Sequence, residues 1–307
     1  MGFSLSTSWN AYRYVNGKDL VFEIKSLGFG EIELSFNLTP KMVKDIGGLV
    51  AGGSIKVSSV HNFCPIPDGV KRELALPDYY SVASLKDEER KKAVQQTKAT
   101  IESAASLGAK AVVLHCGRVE VPDRTRKLMD IYSAGLSGSR EFLLLRDEII
   151  AERKARIAPH FENTLRSLEE LNAYAGRFGV KLGVETRFYY REIPSFEETG
   201  VILNKFRGSN IYYWHDTGHG RVMENLGFCA RNSFLEAYSE NMAGIHLHDV
   251  SACDDHRAPR KGEFDFNSLK RFIKKDTLKV IEAHHPASPQ DLKEAVQYLE
   301  GLFDGKA

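Results

Sequence analysis

The sequence predicts an α/β protein in which residues 1–307 form a single (β/α)8 barrel, or TIM barrel. Eight apolar segments of strand length recur along the chain, and a segment with helical periodicity follows each of them. The spacing of about 25 to 65 residues between them suits a strand, a helix and connecting loops. Because no Pro-rich, Ser-rich or low-complexity linker divides the 307 residues, a closed barrel is the simplest architecture.

The predicted strands are short apolar runs. They are Phe3–Ser8, Glu31–Ser35, Ile55–Phe63, Lys110–Gly117, Lys181–Thr186, Ile211–Asp216, Met242–Asp249 and Leu278–His284. Between them apolar residues recur at helical steps, as in the series Leu20, Ile24, Leu27 and the series Val94, Thr97, Ile101, Ala104. These steps predict a helix between each strand and the next.

Helix starts are marked by residues that cap free backbone N–H groups. The four marks are Thr39-Pro40, Ser84-x-x-Asp87, Ser195-x-x-Glu198 and Ser288-Pro289. Glycine turns of the kind that ends a helix precede several strands, as at Gly28, Gly108 and Gly179. The predicted helix boundaries therefore agree with the helical spacing of the apolar residues.

The longest departure from the repeating pattern covers about residues 118–158, before the helix predicted around Leu165–Leu171. It contains a Gly135-Leu136-Ser137-Gly138 segment and a charged stretch from Arg146 to Arg156. We interpret it as a helical insertion over the top of the barrel. The charged stretch is more typical of a solvated helix face than of a charged binding site.

Composition and charge exclude several classes of function. Lys and Arg number 42 against 41 Asp and Glu, so no global charge attracts the chain to nucleic acid or to a membrane. No apolar run reaches the ~18 residues of a membrane-spanning helix, and no export signal is present. The four cysteines form no CxxC pair and predict free thiols in a reducing compartment. We expect a cytoplasmic protein.

Ionisable side chains stand where the predicted strands end. They are Glu33, His61, His115, Glu185, Asp216, His246, His248 and Glu282. The C-terminal ends of barrel strands meet at one face, where the active sites of such barrels lie. A buried carboxylate or imidazole costs several kcal/mol unless it is paired or bound to a metal. The pattern therefore predicts one convergent site that holds a metal ion.

The donor types indicate which ion this site binds. Carboxylates and imidazoles without thiolates suit Mn²⁺, Co²⁺, Fe²⁺ or Zn²⁺ and fit Ca²⁺ poorly. The sharpest local signal is His215-Asp216-Thr217-Gly218-His219, in which Asp216 and His219 flank a predicted tight turn. We expect Gly218 to let the backbone turn there.

Together these residues resemble the xylose isomerase-like barrel superfamily, which includes sugar and sugar-phosphate isomerases, epimerases and the endonuclease IV family. The resemblance covers essentially the whole chain. Its carriers are Val60-His61-Asn62, Leu114-His115-Cys116-Gly117, Val184-Glu185-Thr186, His215 to His219, Gly244 to Asp249, Asp254-Asp255-His256 with Gly262, and Ile281-Glu282.

The isomerases and epimerases of this superfamily imply one divalent ion and no organic cofactor. The resemblance assigns the metal ligands to Glu185, Asp216, His246 and Glu282, and acid/base catalysis to Glu185 and Glu282. It assigns substrate contacts to His61, His115, His219, and Arg187 or Arg257. Such a site moves a proton between adjacent carbons of a sugar or sugar phosphate, and the ion stabilises the enediolate.

The endonuclease IV branch implies a different reaction, in which three zinc ions cleave a phosphodiester at abasic DNA. Its nine ligands have counterparts at His61, His115, Glu185, Asp216, His219, His246, Asp254, His256 and Glu282, with Asp255 as the alternative to Asp254. Three departures weigh against it. Gly218 replaces a typical cysteine, the loop from Asn62 to Gly69 carries no cation, and the chain lacks a basic footprint.

We therefore favour a sugar or sugar-phosphate isomerase or epimerase. Two alternatives stay open, an endonuclease-like zinc enzyme and a non-catalytic barrel that binds a metal or a sugar. A homo-oligomer is also possible. Aromatic residues are available to line a sugar pocket or to pack the barrel rim. They are Trp9, Tyr12, Phe63, Tyr79, Tyr80, Phe188, Tyr189 and Tyr190.

Overall fold

A computed structural model describes residues 2–304, and its parallel strands close into an eight-stranded barrel. The barrel strands are β1 (Ser4–Ser6), β2 (Glu31–Leu34), β3 (Lys56–His61), β4 (Ala111–Leu114), β5 (Lys181–Glu185), β6 (Ile211–Asp216), β7 (Met242–Leu247) and β10 (Leu278–Ile281). Each strand pairs with the next, and β10 pairs with β1 to close the barrel. The predicted (β/α)8 fold is confirmed, although most strands are shorter than predicted.

Helices surround the barrel between its strands. In the described part of the chain they are α1 (Gly17–Ser26), α2 (Pro40–Ala51), α3 (Asp87–Ser106), α4 (Thr125–Ser133), α5 (Arg140–Gly176), α6 (Phe196–Lys205), α7 (Thr217–Asn225), α8 (Ser233–Tyr238) and α9 (Pro289–Asp304). The predicted apolar series lie on the buried faces of α1 and α3, except that Leu27 follows the end of α1 and is half-buried. Among residues 2–304, no helix has the length and apolarity needed to cross a membrane.

The helix starts follow the predicted caps at three of four positions. Thr39 accepts a hydrogen bond from the Met42 N–H, and Ser195 forms a complete capping box with Glu198. Ser288 Oγ accepts from the Asp291 N–H at the start of α9.

The cap predicted at Ser84 is wrong. Its hydroxyl accepts from the Lys86 N–H, 3.1 Å away, before the helix begins, and donates to Glu89. The helix α3 therefore begins at Asp87, with Lys86 at the capping position.

The segment predicted as an insertion contains α4 and the first half of α5. The helix predicted around Leu165–Leu171 is not separate from it, because α5 runs without a break for 37 residues and includes Pro159. Several charged residues of the stretch are exposed, as predicted, but Arg153 points inward and is buried.

The interior of the barrel is filled below the site by Trp214. This side chain packs with Ala111, Val113 and Val280 in a small cluster inside the strands. A Cβ at Gly244 on the neighbouring strand would lie 2.2 Å from the indole, and one at Gly183 would lie 2.8 Å from it. The two glycines thus leave room for the tryptophan, which forms the floor beneath the strand ends.

Two short elements extend the barrel at the same face. After β7, strands β8 (Asp249–Ser251) and β9 (Asp254–Arg257) pair as an antiparallel hairpin. The hairpin turns through Ala252 and also contains His256, and both residues adopt left-handed backbone angles, with φ near +54° and +53°. It places residues 255 and 256 beside the ends of β6 and β10.

A buried ion pair joins α5 to α6. The Arg153 guanidinium donates to both carboxylate oxygens of Glu198 at 2.6 and 2.7 Å and to the Glu192 carbonyl at 2.9 Å. Glu198 also completes the capping box of α6. The pair therefore fixes the loop between β5 and α6, which carries part of the site.

We expect Arg153→Met to lower the free energy of unfolding by about 3–5 kcal/mol, because it leaves the Glu198 carboxylate buried without its partner. Urea denaturation followed by circular dichroism measures this loss. Arg166→Met is the matched control, since Arg166 is exposed on the same helix, and its effect should stay within about 0.5 kcal/mol. Equal effects of the two variants would contradict the structural role of the pair.

Candidate metal centre and substrate pocket

The predicted site residues stand at the C-terminal ends of the strands. Each is supplied by a different strand or by the residue that follows it. Glu33 is on β2, His61 ends β3, His115 follows β4, Glu185 ends β5, Asp216 ends β6, His246 is on β7 and Glu282 follows β10. All seven are buried or nearly so. The barrel therefore brings residues from distant parts of the sequence to one place.

The centre of the site is the His246 imidazole. Its Nδ1 lies 2.7 Å from Glu185 Oε1, 2.8 Å from Glu282 Oε2 and 3.5 Å from Asp216 Oδ2. One ligand atom from each of these four residues can be chosen so that all lie within 4.8 Å of one another. This quartet is the set that the resemblance implied for a metal ion.

Glu33 explains how His246 is oriented. The Glu33 carboxylate faces His246 Nε2 at 3.1 Å and accepts a second hydrogen bond from Ser59 Oγ at 2.7 Å. With Nε2–H donating to Glu33, the imidazole directs Nδ1 toward the other three carboxylates. A carboxylate behind a ligating histidine fixes its tautomer and strengthens it as a ligand.

Asp216 is held by contacts on both sides. Its carboxylate accepts from the His219 N–H at 2.7 Å as the N-cap of α7, and it lies 2.8 Å from His248 Nε2. His248 Nδ1 accepts from the His256 N–H at 2.8 Å, so in its neutral form the ring carries its proton on Nε2 and donates it to Asp216. His248 thus positions Asp216.

The role expected for Gly218 needs correction. Gly218 lies in the first turn of α7 and does not form a tight turn before it. A Cβ at this position would lie 2.2 Å from His248 Cε1. The glycine is therefore required because the imidazole that holds Asp216 packs directly against the helix backbone.

Charges in the quartet stabilise one another. Burial alone raises the pKa of Glu185, but His115 and the other imidazoles hold it well below its ordinary value. Burial also raises the pKa of Glu282, and His246 lowers it. For His246 the two effects have opposite signs. Burial lowers its pKa, but the Glu282 and Glu33 carboxylates raise it well above the ordinary value. The carboxylates are consequently ionised at neutral pH.

The residues fit a divalent ion by their chemistry. Three buried carboxylates and one imidazole nitrogen converge, and the second nitrogen of that imidazole is already occupied by Glu33. A mixed oxygen and nitrogen donor set of this kind suits Mn²⁺, Co²⁺, Fe²⁺ or Zn²⁺.

A second cluster stands beside the quartet, and it includes an arginine. Glu185 Oε2 lies 2.8 Å from His115 Nε2 and 3.8 Å from His61 Nε2. The same oxygen accepts from Arg187 Nη1 at 2.6 Å, and Arg187 Nη2 also donates to Glu192. Burial and Arg187 together lower the pKa of His115 to about 4. The buried guanidinium therefore occupies this side of Glu185.

A third cluster comprises His219, Asp255 and His256. Asp255 Oδ2 lies 2.9 Å from His256 Nδ1 and 3.4 Å from His219 Nε2. Burial lowers the pKa of His219, but the Asp216 carboxylate, with help from Asp255, raises it to about 10. His219 is consequently a cation that faces the pocket.

Asp254 and Arg257, two residues predicted for the site, lie elsewhere. The Asp254 side chain is 73% exposed and pairs with Arg257 at 2.7 Å on the outer side of the hairpin. The left-handed conformation of His256 and the hairpin register direct Asp255, not Asp254, toward His219. Neither residue of the pair lines the main cavity at the strand ends.

The main cavity has a volume of about 500 Å³ and opens above the strand ends. The predicted residues His61, His115, Glu185, Arg187, His219, His256 and Glu282 line it. Loop residues that the sequence reasoning missed complete the wall, and the polar ones are Asp78, Arg118, Asp123, Arg126, Arg191 and Glu192. The only signal for them was their position in the loops after β3, β4 and β5.

Two curated relatives match part of the chain. An uncharacterized protein of Sinorhizobium fredii is 25% identical over 188 residues, which cover 61% of this chain and 50% of the relative. An uncharacterized protein of Methanocaldococcus jannaschii is 26% identical over 144 residues, which cover 45% of this chain and 53% of the relative. The chain thus spans about half the length of the curated relatives it matches.

Solved structures share the fold over nearly the whole chain. A D-tagatose 3-epimerase-like protein is 19% identical with a TM-score of 0.68, and the match covers 98% of this chain and 97% of that protein. The 3-keto-D-glucoside 4-epimerase of E. coli is 15% identical with a TM-score of 0.66, covering 98% and 99%. D-allulose 3-epimerase from Methylomonas sp., solved in complex with D-allulose, is 14% identical with a TM-score of 0.62, covering 99% and 91%.

The sequence profile of one family spans most of the barrel. It matches residues 21–302, from the first helix to the last, and so includes every residue of the quartet around His246. The eight-stranded closed barrel agrees with that match. The chain belongs to the xylose isomerase-like TIM barrel family.

Proposed function

We propose that this protein is a divalent-metal-dependent isomerase or epimerase that acts on a sugar or sugar phosphate. The observation that carries the proposal is the approach of Glu185 and Glu282 to the same ring nitrogen of His246, at 2.7 and 2.8 Å, at the base of a sugar-sized cavity. Two acid/base groups close together can move a proton between adjacent carbons or between the two faces of one carbon. Sugar epimerases with the same fold support the proposal.

In this proposal Glu185, Asp216, His246 and Glu282 hold the ion. A bound divalent ion supplies positive charge that stabilises the enediolate formed from the sugar. One glutamate removes a proton from a carbon next to the carbonyl and, as the resulting carboxylic acid, can return that proton to the adjacent carbon in an isomerisation. In an epimerisation the other glutamate delivers a proton to the opposite face after it has taken that proton from solvent or a substrate hydroxyl. Because both carboxyl groups have lowered pKa values, both start the reaction as bases.

Residues around the two glutamates position the sugar in this proposal. His61 and His115 line one side of the cavity, and cationic His219 lines another. Imidazole N–H groups donate to sugar hydroxyl or carbonyl oxygens. Arg187 keeps Glu185 in place through its 2.6 Å contact and is itself held by Glu192.

The endonuclease-like reaction is the second candidate, because imidazoles and carboxylates also gather in the two neighbouring clusters. The contact between Arg187 and Glu185 disfavours it. A second divalent ion bound by His61, His115 and Glu185 would stand beside a buried guanidinium on the same oxygen. Like charges that close repel strongly where water is excluded.

We expect the wild-type protein to bind about one Mn²⁺, Co²⁺, Fe²⁺ or Zn²⁺ ion per chain. Elemental analysis after purification without chelator measures the stoichiometry. Asp216→Asn should weaken Mn²⁺ binding about 100-fold or more, because it removes a charged ligand. Asp254→Asn is the control, and its binding should equal that of the wild type, since Asp254 is exposed.

Other metal contents have definite meanings. Close to three zinc ions per chain would favour the endonuclease-like cluster and contradict the single-ion site. No bound ion after reconstitution would refute metal dependence altogether.

We expect Glu282→Gln to slow proton exchange at the sugar carbon by about 10²- to 10⁴-fold while the fold is retained, because the amide is not a base. Deuterium uptake from D₂O into D-tagatose, D-allulose and their phosphates, followed by NMR, measures this rate. Glu162→Gln on the exposed side of α5 is the control. Unchanged exchange in Glu282→Gln would contradict the catalytic role.

A further inference from the structure

The side chains of two arginines at the mouth of the cavity make no hydrogen bond within residues 2–304. Arg126 is in the first turn of α4, and Arg191 is in the loop between β5 and α6. Within residues 2–304, each has only one nearby carboxylate oxygen, Asp123 Oδ2, at 3.7 Å. That distance is too long for a hydrogen bond, so their N–H donors are uncommitted.

The other two arginines of the cavity differ from this pair. Arg118 donates to Asp78 at 2.7 Å, and Arg187 donates to Glu185 and Glu192. Their guanidinium groups are therefore occupied by protein carboxylates. Arg126 and Arg191 instead share a single carboxylate, which leaves one positive charge in excess on this wall of the cavity.

The two arginines differ in exposure. The Arg126 side chain is 70% exposed, and its guanidinium lies over the Tyr189 ring at 4.8 Å, which leaves its N–H groups available. The Arg191 side chain is only 31% exposed, and its Nε is buried with no hydrogen-bond partner. Buried N–H groups almost always have a partner. Other atoms of the Arg191 side chain line the cavity.

Within residues 2–304, Asp123 also lacks a hydrogen-bond partner at one of its carboxylate oxygens. Its Oδ1 is buried without a hydrogen-bond partner in the described chain, while its Oδ2 lies between the two arginines. A ligand that fits between the two arginines offers an anionic group to their guanidinium N–H donors.

We propose that the substrate carries an anionic oxygen group, a phosphate monoester or a carboxylate, which Arg126 and Arg191 bind at the mouth of the cavity. Planar guanidinium groups recognise such groups by paired hydrogen bonds. The inference rests on the proposed function for the rest of the substrate, because the sugar carbons would lie toward Glu185 and Glu282 in the same cavity. It narrows the substrate from sugars in general to their phosphates or acids.

Isothermal titration calorimetry of the metal-loaded protein tests the proposal directly. The probes are D-fructose 6-phosphate, D-glucuronate and neutral D-fructose, compared in wild type, Arg191→Gln and the double variant with Arg126→Gln. We expect at least one anionic probe to bind more tightly than D-fructose. Arg191→Gln should weaken that probe about 10- to 100-fold and leave D-fructose unchanged.

Arg207→Gln is the matched control, because Arg207 is exposed just after the end of α6 and does not line the cavity. Raising NaCl from about 50 to 200 mM should weaken the anionic probe in wild type more than in the double variant. The probe that loses affinity in the variants, phosphate or carboxylate, identifies the anionic group.

The outcomes separate this inference from the proposed function. Arg191-dependent binding of an anionic probe without deuterium exchange in any sugar would support the anion site and refute the isomerase. Deuterium exchange in neutral sugars, together with anionic binding that neither variant alters, would support the isomerase and overturn the anion site.

Discussion

The molecule depends on burying four carboxylates around one imidazole. Glu33, Glu185, Asp216 and Glu282 are each at most 5% exposed, and all lie against His246. Such a concentration of negative charge away from water is costly unless cations and hydrogen-bond donors compensate it. His115 and Arg187 compensate Glu185, and His248 and the His219 N–H compensate Asp216. The negative charge that these groups leave uncompensated favours a divalent cation at the quartet.

Positions on strands could be predicted from the sequence because the barrel dictates where strands end. Glu185, Asp216 and His246 are on three successive strands whose register brings Asp216 opposite His246. Parallel pairing and closure fix these positions whatever the loops do. The order of apolar and polar residues along each strand therefore carried the information needed for the quartet, and for Glu33 as a polar residue at a strand end.

Loop geometry could not be predicted in the same way. The choice between Asp254 and Asp255 is decided by a hairpin with two left-handed residues, which no local pattern indicated. Arg257 was expected near the substrate, but its pairing with Asp254 holds it outside the main cavity. Arg191 had no signal beyond its place in the loop after β5, because the position of its side chain depends on contacts of that loop with distant residues. Loop conformations reflect such tertiary contacts more than local propensity.

Those distant residues connect the long helix to the site. Arg153 of α5 holds the Glu192 carbonyl, and Glu192 in turn holds Arg187 against Glu185. The same loop carries Arg191 at the mouth of the cavity. The contacts of Arg153 and Glu192 therefore position both the base and the rim of the cavity. A net charge of +1 for the whole chain conceals a local asymmetry, in which buried carboxylates gather at the base and two arginines share one carboxylate at the rim. A ligand satisfies both ends when its reacting carbons meet a cation at the base and its anionic group meets the arginines at the rim.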